Sequence, residues 1–172
     1  MGVYYRASQF WQALTATPAV EDLDRASQVL SQQLMVLFLN QTASVQVHSL
    51  NVFSQLCDQG ERSPDVLSAA LLHDVGKSCY PLRTWERVVV VIGQALALRQ
   101  ADLWAQAEPR SWKRPFVVAR RHAAWGAEMA AAGGASPLTV ELIRRHHDPG
   151  TDGLVTPEDQ LLKQLQSFDH NS

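Results

Sequence analysis

Side chains that commonly bind metals recur along this 172-residue sequence, and two of them stand together in SAALLHDVGKSCY, residues 68–80. The apolar beginning of this stretch predicts a buried helix face. His73 and Asp74 then follow side by side, with Gly76 and Lys77 just after them. Imidazole and carboxylate groups suit iron, manganese, zinc and cobalt. A buried helix ending in such a pair can deliver two ligands to an interior metal site.

Further ligand types lie in other segments that the sequence predicts to be helical. They are His48, His122, the pair His146-His147, and Asp169. Each has an ordinary explanation when taken alone. A single histidine on an apolar face is more often a hydrogen-bonded core residue, and histidines at a helix C-terminus complement the helix dipole. Taken together, several buried polar groups would each need a partner, whereas one metal cluster would satisfy them all.

The positions of the helices follow from capping signals and apolar spacing. Three predicted helices begin with a capping hydroxyl followed by a proline at the first helical position. These starts are Ser63-Pro64, Ser136-Pro137 and Thr156-Pro157. Residues 20–38 and 42–58 show apolar side chains at helical spacing, and Gly60 is expected to end the second segment. The helix after Pro137 is expected to run to about His147, and His122 to lie early in its own helix.

Two segments are less regular. Residues 88–92, VVVVI, have the composition of a strand. We interpret them as helix, because the sequence offers no other strand for pairing and QALALRQ continues a helical pattern. Residues 99–113 are interpreted as a surface excursion. The predicted fold is all-α, a single-domain helical bundle over residues 1–172, with the metal site at the centre of a core (41–170) and residues 1–40 as an N-terminal extension.

Composition narrows the classes of function. The formal net charge is −2, which gives no electrostatic case for binding nucleic acid or an anionic membrane. The longest apolar runs are about five residues, far short of the roughly 20 that a membrane-spanning helix needs. Cys57 and Cys79 match neither a zinc-knuckle nor a disulfide framework. We therefore expect a cytoplasmic protein with two free thiols and with neither nucleic acid nor membrane as a partner.

The ordered set of ligand types resembles the HD-domain superfamily of metal-dependent phosphohydrolases over about residues 40–169. ALLHDVGK is similar to the hallmark His-Asp-Ile-Gly-Lys motif, with Val75 in the isoleucine place. HAAWGAEMA is similar to the helix of the third histidine, where a glycine follows four residues later. LIRRHHD is similar to the paired-histidine motif of the two-metal subgroup. The following residues do not give the GYP signature of the subgroup that degrades cyclic di-GMP, which argues against that substrate.

This resemblance implies roles for individual residues. The first metal would be held by His48, His73, Asp74 and Asp169. The second would be held by His122 and His146 with Asp74 bridging, and His147 would be a third ligand or a donor behind the ligands. Asp74 and Lys77 would be the catalytic residues, with Lys77 meeting a substrate phosphate. The cofactor would be one or two divalent ions of manganese, iron, cobalt, nickel or zinc. The substrate would be a small phosphorylated compound, with a nucleotide as the expected class.

Other interpretations stay open at this point. The chain could be a catalytically silent HD-type module that binds metal or nucleotide for regulation, or an interaction protein whose histidines are structural. His122 and the histidine pair could bind substrate phosphate over a one-metal site. Lys77 could be a solvated surface lysine, and Trp125 could stack on a base or simply pack. Two RRH strings could collect anionic substrate or form solvated helix faces. Their arginines are Arg120, Arg121, Arg144 and Arg145.

Overall fold

The structure is a computed structural model that describes residues 17–83, 85–86, 88–90, 103–108, 111–148 and 156–169. These residues include seven α-helices and a short 3-10 helix. The α-helices are α1 (Val20–Val29), α2 (Gln32–Leu39), α3 (Ala43–Asp58), α4 (Pro64–Leu72), α5 (Arg114–Ala132), α6 (Pro137–Arg145) and α7 (Pro157–Asp169), and the 3-10 helix is Val75–Cys79. No strand occurs among the described residues, and the predicted all-α class is confirmed.

Helix α4 is the centre of the core. Every residue from 66 to 72 is buried, so the helix has no solvent-facing side over that length. All the other helices contribute buried apolar side chains to the same core. Ala26 of α1 and Phe38 of α2 are fully buried there, so the two N-terminal helices pack on the body that carries the candidate ligands. None of the described helices combines the length and hydrophobicity needed to cross a bilayer.

The predicted helix starts are found, with different local chemistry at each. The hydroxyl of Ser136 accepts a hydrogen bond from the backbone N–H of Thr139 at 3.1 Å. Thr156 and Asp159 form a reciprocal cap, in which each side chain accepts from the other's backbone N–H, at 3.2 and 3.0 Å. Ser63 occupies the N-cap position without a side-chain capping bond. Gly60 follows α3 with φ of +89°, a conformation that glycine adopts readily.

Three helix boundaries differ from the prediction. The segment 20–38 is two helices, because Leu30 is extended and Ser31 begins a new helix by accepting from the N–H of Leu34. Helix α6 ends at Arg145 rather than near His147, and the paired histidines lie in the turn that follows. Helix α5 begins at Arg114, so His122 lies near its middle rather than early in it.

The two irregular segments lie partly within the described residues. Residues 88–90 are helical, as interpreted, and residues 91–92 lie outside the described part. Within 99–113, Trp112 is 69% exposed, in keeping with a surface excursion. Trp104 is partly buried and packs against Phe116 of α5, with ring centroids 5.0 Å apart. This segment is therefore anchored to α5 by an aromatic contact.

The 3-10 helix packs against α5 through two glycines. A Cβ added at Gly76 would lie 2.7 Å from the backbone nitrogen of Gly126 and closer still to the carbonyl oxygen of His122. A Cβ added at Gly126 would lie 3.2 Å from the backbone nitrogen of Gly76. The two backbones are thus in direct contact. This contact sets the distance between Asp74, just before the 3-10 helix, and His122.

Candidate metal centre

The predicted ligands come from five different elements or turns of the fold, and their side chains lie in one region of the interior. His48 lies on α3, His73 and Asp74 follow α4, His122 lies on α5, His146 and His147 follow α6, and Asp169 is the last residue of α7. Four of the seven are buried, and His147 is the most exposed. The structure brings all seven together. Their ligand atoms form two groups, within each of which all atoms lie within 4.8 Å of one another.

The first group consists of His48, His73 and Asp169. Asp169 Oδ1 lies 2.9 Å from His48 Nε2 and 3.3 Å from His73 Nε2. The two Nε2 atoms are 3.3 Å apart. Residues 121 positions apart in the chain therefore present their ligand atoms to one small volume.

The second group consists of Asp74, His122, His146 and His147. His122 Nε2 is central to it, at 3.3 Å from Asp74 Oδ1, 3.3 Å from His146 Nε2 and 3.1 Å from His147 Nε2. His146 Nε2 also lies 3.8 Å from Asp74 Oδ1. Three imidazoles and one carboxylate form a donor set typical of transition-metal sites.

Asp74 connects the two groups. Its Oδ1 faces His122 and His146, while its Oδ2 lies 3.6 Å from His73 Nε2. Its side chain is almost entirely buried. The two oxygens of one carboxylate therefore point toward different groups, which is the arrangement that a bridging ligand requires. That Asp74 bridges two ions stays a prediction.

The rings of three histidines are oriented by their own helices. The Nδ1–H groups of His73, His122 and His146 donate to the carbonyls of Ala70, Val118 and Ile143, at 2.9, 2.9 and 2.7 Å. Because a carbonyl can only accept, each neutral ring carries its proton on Nδ1 and its lone pair on Nε2. Hydrogen bonding of the outer ring nitrogen is the usual support for a metal-bound histidine. Lone pairs facing each other at about 3.3 Å repel unless a cation or a proton lies between them.

The electrostatics of the centre favour a cation. Burial raises the pKa of Asp74, but the opposing effects of Lys77, His73 and His122 are larger and hold it well below its usual range. Burial lowers the pKa of His73, but Asp74 and Asp169 outweigh this effect and raise it overall. The carboxylates are therefore ionised at neutral pH and stabilise positive charge beside them, whether a proton or a metal ion.

The paired histidines are kept neutral. Burial, followed by the charges of His73 and His147, holds the pKa of His146 well below its usual range. Burial and the charge of His122 lower the pKa of His147 to about 4. Neutral imidazole is the form that binds metal. Both rings are thus available as ligands at neutral pH.

Lys77 lies beside the carboxylate, with its Nζ 2.5 Å from Asp74 Oδ2 and 40% of its side chain exposed. It is neither a fully solvated lysine nor a buried one, since it reaches from the surface to the centre. The predicted role in meeting a phosphate is compatible with this location and stays a prediction.

Other residues singled out in the sequence do not belong to either ligand group. Trp125 packs against Tyr80, with ring centroids 5.3 Å apart. Arg120, Arg121 and Arg144 are exposed on their helices. Arg145 forms an ion pair with Asp159 of α7 at 2.7 Å, so it ties two helices together.

One contact beside the centre was not anticipated from the sequence. The side-chain amide of Gln166 donates to the backbone carbonyls of His146 and Asp148, at 3.1 and 2.9 Å. A glutamine on a predicted helix gives no local sign of such a role. The spacing of residues in α7 could have indicated this role. Asp159, Gln166 and Asp169 are separated by seven and three residues and therefore share one face of the helix.

Comparison with known proteins agrees with this geometry. The family model described as HD domain matches residues 45–169, which is most of the chain and includes all seven candidate ligands. No curated protein and no solved structure matches the chain. HD domains bind divalent metals, and the two histidine and aspartate groups could hold one or two such ions. The chain belongs to the HD-domain family.

Proposed function

We propose that this protein is a metal-dependent phosphohydrolase that cleaves a phosphoester or phosphoanhydride bond in a small phosphorylated compound, with nucleotides as the expected class. The observation that carries the proposal is the carboxylate of Asp74, whose two oxygens face two separate groups of histidines. A carboxylate shared in this way, inside an HD domain, is suited to holding two ions beside a single substrate phosphate.

The ligands fit divalent transition metals by chemistry as well as by position. The first site would be held by His48, His73, Asp74 and Asp169, and the second by Asp74 with His122, His146 and His147. When bound, such an ion neutralises charge on phosphoryl oxygens and lowers the pKa of water to about 7. The imidazole and carboxylate donors leave the choice among manganese, iron, cobalt, nickel and zinc open.

The protein's own groups would act by position and charge. Asp74 stays ionised because of its low pKa and would fix both sites relative to each other. Lys77 reaches from the surface to Asp74, so its ammonium group could turn to a phosphate oxygen as the substrate enters. Water attacks phosphorus, the P–O bond to the leaving group breaks, and the leaving oxygen takes up a proton. The attacking water releases one proton as the new P–O bond forms, so the exchange needs no net proton from the protein.

We also infer that the protein acts in the cytoplasm on a small molecule rather than on nucleic acid or membrane lipid. Both cysteines are free thiols, and the formal net charge is slightly negative. Neither feature favours an oxidising compartment or a polyanionic partner.

Replacing Asp74 tests the proposal directly. The purified wild-type chain should contain transition metal by mass spectrometry and release phosphate from at least one member of a panel of nucleotides and cyclic dinucleotides. Asp74→Asn keeps the shape of the side chain but removes its charge, so metal content and hydrolysis should both be lost. Asp58→Asn changes an exposed carboxylate on α3 and should leave both unchanged.

The outcomes separate the candidate functions. Full metal occupancy in Asp74→Asn would overturn the assignment of the centre. A wild-type chain that binds metal but hydrolyses no compound would instead indicate the catalytically silent regulatory module. A wild-type chain without metal affinity would indicate that the histidines are structural.

A further inference from the structure

The paired histidines lie beyond the regular part of α6. The helix ends at Arg145, and residues 146–148 form a turn. Consecutive residues of a regular helix point about 100° apart, yet His146 and His147 both bring Nε2 close to His122 Nε2. This turn must therefore hold a particular shape for both rings to belong to the same ligand group.

Two backbone carbonyls of this turn, which lies beyond the last residue of α6, are bound by α7. The two N–H groups of the Gln166 amide donate to His146 O at 3.1 Å and Asp148 O at 2.9 Å. His146 is thereby held on both sides, since its ring donates to Ile143 O and its backbone accepts from Gln166.

The same face of α7 touches both ligand groups. Near the start of the helix, Asp159 pairs with Arg145 at 2.7 Å. At its end, Asp169 lies 2.9 Å from His48 Nε2 in the first group. Gln166 stands between these contacts, one helical turn from Asp169. The helix is therefore placed to fix the turn of the second group relative to the carboxylate of the first.

We propose that Gln166 is a positioning residue for the second ligand group, which holds His146 and His147 in reach of the ion shared with His122. This inference rests on the metal centre of the proposed function and not on the reaction. Without the amide, α7 and the first group would remain, because His48, His73 and Asp169 do not depend on the turn. The turn would adopt more conformations, and its two imidazoles would bind an ion less tightly.

Gln166→Met is the appropriate variant, because methionine keeps the length and helix propensity of the side chain but has no N–H donor. Gln160→Met is the matched control, since Gln160 is exposed on the same helix. The metal-free full-length chain is titrated with Co²⁺, with both the heat of binding and the visible absorption of the bound ion recorded. His122→Ala identifies which of the two binding phases belongs to the second group.

The wild type should show two phases, and Gln166→Met should weaken the phase lost in His122→Ala by roughly ten- to a hundred-fold, the usual effect of removing a residue that supports a ligand. The other phase should match that of Gln160→Met. Equal affinities in Gln166→Met and Gln160→Met would overturn the inference, as would an equal loss in both phases or a single wild-type phase insensitive to His122→Ala. A wild type that binds two Co²⁺ ions but releases no phosphate refutes the proposed hydrolase and leaves this inference intact.

Discussion

At the scale of single residues, three of the five imidazoles are oriented by hydrogen bonds to backbone carbonyls. His73 and His146 each donate to the carbonyl three residues earlier, and His122 donates to the carbonyl four residues earlier. These acceptors belong to the helix that carries the ring, so no special partner residue is needed. The Nε2 atoms are directed inward before any ion arrives, and metal binding then costs little ordering of the ligands.

Lys77 offers a test at this scale. If its ammonium group contacts the substrate phosphate, Lys77→Ala should remove a charge-assisted contact worth about 1.5–3 kcal/mol. Turnover should then fall roughly ten- to a hundred-fold. Metal should be retained, because lysine is not a ligand and its loss removes positive charge from beside Asp74. Turnover is measured by steady-state kinetics on a substrate identified by phosphate release. Metal content is measured on the same samples.

Lys163→Ala is the control for that measurement, because Lys163 is exposed on α7. Its turnover should equal that of the wild type. A Lys77→Ala enzyme with the same turnover as Lys163→Ala would show that Lys77 only neutralises Asp74 and does not meet the phosphate.

At the scale of elements, the contact between the 3-10 helix and α5 decides the distance between Asp74 and His122. An added methyl group at Gly76 has no space, since it would overlap the carbonyl of His122 and approach the backbone nitrogen of Gly126 to 2.7 Å. Backbone atoms cannot move aside as a flexible side chain can. Gly76→Ala must therefore push the 3-10 helix away from α5.

We expect Gly76→Ala to lower the free energy of unfolding by about 1–3 kcal/mol or more, as overpacked cores do, and to weaken metal binding. Gly126→Ala places its methyl at 3.2–3.4 Å from its neighbours, and alanine favours a helix by up to about 1 kcal/mol over glycine. Its effect should be much smaller. Denaturant unfolding and Co²⁺ titration of both variants provide the comparison, and equal stability of the two would contradict the close packing.

The sequence predicted those features of the fold that are determined by residues adjacent in the chain. The starts of α6 and α7 were predictable because Ser136 and Thr156 lie next to the prolines that open each helix. The break between α1 and α2 was not, because apolar Leu30 continues the helical spacing through the residue where the backbone becomes extended. The spacing of apolar residues indicates which side chains are buried. It does not show whether the backbone between two buried side chains is helical or extended.

The candidate site divides in the same way. The seven candidate ligand residues were found because their histidines and aspartates follow the order of the HD-domain motifs along the chain. Gln166 was not found, because its partners are backbone carbonyls of the turn after α6, and every residue type carries the same carbonyl. The early end of α6 was missed for a related reason, because the sequence does not show that the Gln166 amide binds the carbonyls of His146 and Asp148 in the turn that follows Arg145.

At the scale of the whole molecule, the candidate metal centre lies where elements distant in sequence meet. Its candidate ligands come from α3, the end of α4, α5, the turn after α6 and the end of α7. Two buried or half-buried carboxylates and five imidazoles are costly to hold together without a cation. An ion bound there would connect five elements at once. The unfolded chain does not bring these ligands together and would therefore not form this binding site. Metal binding and folding should therefore be thermodynamically linked.

This linkage predicts the effect of metal on thermal stability. An ion at a hundred times its dissociation constant adds about 2.7 kcal/mol to the free energy of unfolding if the unfolded chain does not bind it. For a domain of this size, that corresponds to a rise in Tm of about 5–11 °C. Scanning calorimetry of chelator-treated protein, with and without added Mn²⁺, measures the shift. Asp58→Asn should show the full shift and Asp74→Asn almost none, because Asp74 faces both ligand groups. If Mn²⁺ raised the Tm of Asp74→Asn as much as that of the wild type, the ion would be binding elsewhere, and the fold would not be organised around this centre.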